Sequence, residues 1–126
     1  MSSRFIRPML GAAILAMTGG AALAQPSEAV RATERAVWAL SGALGFENQI
    51  EACAIPVSES QRDQLRNAIA ALQKKIGAPD RMIANIRRDL RAGRSEEPWI
   101  SIKDEICKDS RTRVAESLAE ILAASK

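Results

Sequence analysis

Two cysteines, Cys53 and Cys107, are the side chains best suited to covalent or metal chemistry, and the chain contains no histidine. A redox-active or metal-binding pair is one interpretation. Against it, neither cysteine lies in a Cys-x-x-Cys motif, and no histidine is present to complete a zinc site. The other interpretation is a structural bridge, since exported domains with an even number of cysteines usually pair them. We predict a Cys53–Cys107 disulfide.

Basic side chains cluster in the second half of the chain and form a candidate patch for an anionic partner. Six of them form this candidate binding patch: Lys74, Lys75, Arg87, Arg88, Arg91 and Arg94. Guanidinium groups suit phosphate, lipopolysaccharide, an acidic polymer or an acidic protein. The competing interpretation is a solvated helix face, because arginines near a helix C-terminus complement its dipole and Asp89, Glu96 and Glu97 are close enough in sequence to neutralise them. The sequence leaves both interpretations open.

The side chains that carry most general acid–base catalysis are missing, since the chain has no histidine and no tyrosine. Carboxylate pairs exist, Glu47 with Glu51 and Asp104 with Glu105, but ordinary surface pairing explains them. Neither a calcium-binding loop nor the Cys-x-x-Cys-His motif of haem attachment occurs. We therefore expect a protein without catalytic residues, metal or cofactor, which is not an enzyme.

The N-terminal residues have the three parts of a secretory signal peptide. These parts are two arginines, an apolar run and a small-residue cleavage site: Arg4 and Arg7, residues 9–17, and Ala22-Leu23-Ala24. The apolar run is shorter than the ~20 residues of a membrane-spanning helix. We expect cleavage after Ala24, which makes residues 1–24 the signal and residues 25–126 a single periplasmic or secreted domain with no transmembrane anchor.

Charge and size limit the partners of this domain. Without the two signal arginines, 16 basic side chains face 15 acidic ones, a net charge of +1. A charge so near zero gives no reason to expect nucleic acid as a partner. The predicted domain is large enough for one modest core and too small for a second domain.

Ser58 to Gly77 is the clearest helix in the sequence. Its apolar residues recur at spacings of four, three and four, which places them on one helix face: Leu65, Ile69, Leu72 and Ile76. Ser58 and Gln61 have the spacing of a capping box. Gly77 suits the left-handed residue that ends a helix, and Pro79 cannot continue one.

The first helix, over about 27–53, carries two apolar stripes. They are Val30, Val37, Leu40 and Leu44, then Phe46, Ile50 and Cys53. The change of stripe coincides with Gly42 and Gly45, where we expect the helix to bend. The large Trp38 ring is expected to pack there and fill the space that the glycines leave.

The whole pattern predicts an all-α fold without strands: an antiparallel, up-and-down bundle of four helices at about 27–53, 58–76, 79–92 and 101–124. In the last helix, Ser101 and Asp104 have the spacing of a second capping pair. The predicted disulfide joins the first helix to the last.

These features favour a non-enzymatic exported protein that binds another protein or an anionic partner. Its contact would be the arginine-bearing third helix or an apolar groove near Trp38 and Trp99. In size and cysteine count the chain is similar to acid-stress chaperones of the bacterial periplasm. The alternative function is therefore a periplasmic chaperone or stress factor that exposes apolar surface on acidification or reduction.

Overall fold

The computed structural model describes residues 27–126, and the predicted signal peptide, residues 1–24, lies outside the described residues. The described part is all-helical and contains no strand, as predicted. Five α-helices follow one another, with a 3₁₀ turn before the fourth: α1 Glu28–Ala52, α2 Glu59–Ile76, α3 Asp80–Ala92, the turn Gly93–Ser95, α4 Trp99–Thr112 and α5 Val114–Ser125. The predicted number of four helices is wrong, because the last predicted helix is divided into α4 and α5.

The chain divides into two compact units, with the boundary between Ala32 and Thr33. In the described part of the first unit, Ser27 caps α1, since its hydroxyl accepts a hydrogen bond from the Val30 amide at 3.1 Å. The second unit, Thr33–Lys126, contains the disulfide, the core and the cleft described below.

The helix α1 is continuous through Gly42 and Gly45, and its core face differs from the predicted one. Leu40 and Leu44 are buried as predicted, but Val37 is 44% exposed and Trp38 is 77% exposed. The expected packing of Trp38 against the glycines is wrong. Trp38 lies two residues from buried Leu40, which is about 200° around the helix axis, so its ring points away from the core. A side chain added at either glycine would meet open space.

The helix α2 forms as predicted. The Ser58 hydroxyl accepts from the Gln61 amide at 3.0 Å, and the Ser58 amide donates to the Gln61 side chain at 2.9 Å, which completes the capping box. Gly77 adopts φ 69°, the left-handed conformation. The Ala78 amide then donates to the Gln73 carbonyl at 3.1 Å, so that helix end is closed by a Schellman motif.

The start of α4 differs from the prediction. The helix begins at Trp99, directly after Pro98, and Ser101 lies inside its first turn. The Ser101 amide donates to the Glu97 carboxylate at 3.2 Å, and its hydroxyl contacts the same carboxylate. The predicted capping pair with Asp104 is therefore wrong. A proline lacks the amide that the first turn leaves unpaired, so Pro98 suits a position at the helix start.

The break between α4 and α5 falls at Arg113, whose backbone leaves helical geometry with φ −115° and ψ 18°. The Arg113 amide donates to the Ser110 carbonyl at 3.3 Å and closes α4. The Arg113 guanidinium spans the break, 3.7 Å from Asp109 and 3.1 Å from Glu116. The apolar spacing does not reveal this break, because the period of a single helix continues through it: Cys107, Val114, Leu118 and Ile121.

The core brings α2 and α5 together along their lengths. Lys75, at the end of α2, donates to the Ala124 carbonyl at 3.4 Å and contacts the Lys126 carbonyl, so the C-terminal ends of the two helices meet. Both helices contribute buried side chains to one core: Leu65, Ile69, Leu72, Leu118 and Ile121.

The predicted disulfide is confirmed: Cys53 and Cys107 are bonded, with their Cα atoms 5.4 Å apart and both side chains buried. One turn away, the Ser110 hydroxyl donates to the Gln49 side chain at 2.6 Å. Ser110 follows Cys107 along the chain, whereas Gln49 precedes Cys53, so α4 and the end of α1 run antiparallel. Arg111 adds a hydrogen bond of 2.8 Å to the Cys53 carbonyl.

Replacing Cys53 and Cys107 by serine should lower the free energy of unfolding by about 2–4 kcal/mol, because the bridge joins residues separated by 54 positions. Denaturant unfolding of parent and variant measures the difference, and reduction of the parent should produce a similar loss. Thiol titration of the denatured, unreduced parent should find no free thiol. Two reactive thiols in that sample would contradict the disulfide.

Leu72→Ala should cost about 2–5 kcal/mol of unfolding free energy, because the Leu72 side chain is completely buried at the centre of the core face of α2. Arg66→Ala, on the exposed face of the same helix, should cost less than about 0.5 kcal/mol. Urea unfolding of both variants makes the comparison. Equal losses would show that α2 does not bury the face assigned to it.

Candidate functional site

Three of the predicted arginines connect α3 and the turn after it to α1. Arg87 donates two hydrogen bonds to the Glu47 carboxylate, at 2.8 and 3.1 Å. Arg94 donates to the Asn48 side chain at 2.8 Å and to Glu51 at 2.6 Å, and Arg91 lies 3.5 Å from Glu51. These arginines are therefore neither a fully solvated face nor a bare cationic patch.

The register of these pairs fixes the local direction of the two helices. Glu47 and Glu51 are four residues apart, as are Arg87 and Arg91, and the pairs follow in the same order. The facing segments of α1 and α3 therefore run in the same direction. Sequence reasoning treated Glu47 and Glu51 as an ordinary surface pair and missed this role. The matching four-residue spacing on two helices was the available signal.

The other predicted basic residues lie elsewhere. Among the described residues, Arg88 pairs only with its neighbour Asp89, at 3.4 Å. Lys75 contacts the end of α5, and Lys74 is exposed. None of the three lines the cleft of about 750 Å³ between α1, α2 and α3. The six predicted cations thus do not form one surface. Glu96 and Glu97 were expected to neutralise the arginines. Instead, Glu47 and Glu51 of α1 form the ion pairs with Arg87, Arg91 and Arg94.

A cleft of about 750 Å³ lies between the second half of α1, the connection to α2, the start of α2 and the end of α3. Five arginines and two glutamates line it: Arg62, Arg66, Arg87, Arg91, Arg94, Glu47 and Glu51. Apolar residues complete the lining, and we call them the apolar base: Leu44, Ile50, Ala54, Ile55, Pro56, Leu65 and Leu90. We call this space the basic cleft. Sequence reasoning missed Arg62 and Arg66, since only the fold brings the start of α2 opposite α3.

The lining charge of the basic cleft is +3, from five arginines against two glutamates. The hydrogen bond from Arg94, followed by the charges of Arg94 and Arg91, lowers the pKa of Glu51 below its ordinary value of 4.5. Glu51 therefore remains ionised around neutral pH and balances part of the positive charge.

Trp38 and Trp99, the predicted apolar contact, do not line the basic cleft. The Trp38 ring is exposed on α1, whereas Trp99 is half-buried against the core at the start of α4. The described residues give no group of three or more cysteine, aspartate or glutamate side chains placed to bind a metal ion. Within residues 27–126, no helix combines the length and apolar character needed to cross a membrane.

No known protein family, curated protein or solved structure matches the chain.

Glu51→Gln should reduce stability near neutral pH, because Arg91 and Arg94 then lose their ionised partner. The folded-state pKa of Glu51 is lowered, so its contribution is present above the ordinary value of 4.5 and is lost as the pH falls through the lower folded value. Parent and variant should therefore converge in stability as the pH falls below 4.5.

Urea unfolding at a series of pH values measures this convergence. Glu105→Gln, a change at an exposed glutamate of α4, is the matched control and should remain close to the parent throughout. A constant difference between the parent and Glu51→Gln at every pH would show that ionised Glu51 does not stabilise the contact between α1 and α3.

Proposed function

We propose that this protein is a small exported binding protein that holds an anionic ligand in the basic cleft and performs no catalysis. The observation that supports this most directly is the lining of the cleft, in which five arginines and two glutamates surround an apolar base. A volume of about 750 Å³ is within the range of ligand-binding clefts. Arginine is also the side chain best suited to planar anionic groups.

The two walls of the basic cleft have different roles in this proposal. On the α3 side, Arg87 and Arg94 are committed to Glu47, Asn48 and Glu51. On the α2 side, Arg66 pairs only with Asp63 of its own helix, at 2.7 Å, and Arg62 has no ion pair in the part of the chain that the structure describes. The arginines of α2 are thus the first contacts for an incoming anion.

Export of the protein is supported by the signal-like residues 1–24 and by the buried disulfide, which suits an oxidising compartment such as the periplasm. In this proposal the ligand is a component of that compartment or of the envelope around it.

Fluorescently labelled polyglutamate, followed by anisotropy, tests anion binding by the cleft. The parent should bind it, and the double variant Arg62→Gln, Arg66→Gln should bind at least about tenfold more weakly, because two charged hydrogen bonds are lost. Binding should also weaken as salt rises, since exposed charges are screened within about 10 Å at 0.1 M.

The matched control is the double variant Arg81→Gln, Arg88→Gln, which removes the same charge from exposed positions of α3 outside the cleft. It should bind polyglutamate like the parent. Equal weakening by both double variants would point to nonspecific attraction, and unchanged binding by the α2 variant would place the anion elsewhere. Either result contradicts the proposed function.

A second candidate function is a chaperone that opens on acidification, and the contact between α1 and α3 favours it. Polar contacts of Glu47 and Glu51 with three arginines connect these segments, and protonation of Glu51 removes its ion pairs with Arg91 and Arg94. Binding of an apolar fluorescent dye should then rise as the pH falls below 4.5, the ordinary pKa of glutamate, because the pKa of Glu51 is lower than that in the folded protein. A dye signal independent of pH would exclude this function.

A further inference from the structure

The arginines of the basic cleft are arranged in two rows with the same spacing. Arg62 and Arg66 are four residues apart on α2, and Arg87 and Arg91 are four residues apart on α3. Four residues of helix rise about 6 Å. Carboxylates recur at the same distance on a helical peptide at positions i and i+4, and at about 7 Å on an extended peptide at positions i and i+2.

The cleft also has a definite length and an apolar base. On α1 its lining runs from Leu44 to Glu51. On the other side it runs from Arg87 in α3 to Arg94 in the turn after α3. Each run corresponds to about 10 Å, or two helical turns. Within the cleft, Leu90 is half-buried and Pro56 is exposed, so apolar surface remains accessible near the arginines.

From this geometry we infer that the ligand of the basic cleft is an acidic amphipathic segment of a partner protein. This inference rests on the proposed function and names the class of ligand. The carboxylates of the segment pair with the two arginine rows, and its aliphatic side chains cover Leu90 and Pro56. The lining charge of +3 complements such a segment.

Other anions satisfy only part of the cleft. A small inorganic anion reaches one or two arginines and leaves the apolar base in contact with water. A fatty-acid anion covers the apolar base with its acyl chain, but its carboxylate offers only one negative charge to two rows of arginines. An acidic amphipathic segment satisfies both, in the manner of a helix that binds in a groove.

The existing ion pairs leave capacity for this contact. A guanidinium has five N–H donors, and the pair between Arg91 and Glu51 is long, at 3.5 Å, with the Arg91 side chain 58% exposed. Arg62 and Arg66 add further donors from the opposite wall. The segment can therefore bind while Glu47 and Glu51 continue to hold α3 against α1.

Three labelled peptides of equal length test the inference with the full domain. The first is helical and amphipathic, with glutamates four residues apart and leucines on the adjacent face. The second has the same composition in scrambled order, and the third is polyglutamate. The first should bind at least about tenfold more tightly than polyglutamate, because burial of even one leucine side chain stabilises a complex by that factor.

The scrambled peptide should lose most of this advantage, since its leucines no longer share a face. The double variant Arg62→Gln, Arg66→Gln should weaken binding of the first peptide at least about tenfold, while Arg81→Gln, Arg88→Gln should leave it unchanged. Pro56 offers a second check: Pro56→Ser removes apolar surface without adding a charge and should weaken the amphipathic peptide more than it weakens polyglutamate.

Equal binding of the amphipathic peptide and polyglutamate would overturn the inference and leave the proposed function intact. Failure of every anionic peptide to bind would overturn both. Dodecanoate, added below its aggregation concentration, tests whether the ligand is instead an acyl anion. If it binds in the cleft and the amphipathic peptide does not, the ligand is an acyl anion and the inference is wrong.

Discussion

The disulfide between Cys53 and Cys107 fixes the end of α1, and the polar contacts of α1 with α4 and α3 lie beside that point. Arg111 donates to the Cys53 carbonyl at 2.8 Å, and Ser110 donates to Gln49 at 2.6 Å, so α4 is held along the last turns of α1. The same turns carry Glu47 and Glu51, which hold α3. One anchored helix end thus positions α4 and the α3 wall of the basic cleft.

The chain leaves this anchored end through a strained residue. Ala54 has φ 50°, a left-handed conformation that costs an ordinary residue about 1–2 kcal/mol. Its amide donates to the Glu51 carbonyl at 3.3 Å, and the Ile55 amide donates to the Ile50 carbonyl at 3.0 Å. This is the Schellman pattern that Gly77 forms at the end of α2, here built with alanine. These two hydrogen bonds close the turn next to the disulfide, and Pro56, two residues further on, lines the cleft.

Sequence reasoning succeeded where local chemistry decides the structure. The capping box of Ser58 and the left-handed Gly77 depend on residues within one turn, so the bounds of α2 followed from the sequence. It failed at Arg113, where the apolar period continues while the backbone breaks, and at Trp38, whose exposure depends on which face of α1 the other helices cover. The basic cleft was also out of reach, because Arg62 and Arg87 are distant in sequence and only the packing of three helices brings them to one space.

The glutamates of the cleft explain how a basic site is compatible with a stable domain of this size. Five arginines around one space repel one another, and that repulsion opposes folding. Glu47 and Glu51 offset it on the α3 wall, where the arginines are tied into the fold. On the α2 wall, Arg66 pairs with Asp63 of its own helix and Arg62 has no ion pair within residues 27–126, so neither arginine connects α2 to another helix through an ion pair. Arg87 and Arg94 are therefore tied into the fold, whereas Arg62 and Arg66 are exposed on α2. If the proposed function is right, substitutions at Arg62 and Arg66 separate binding from stability.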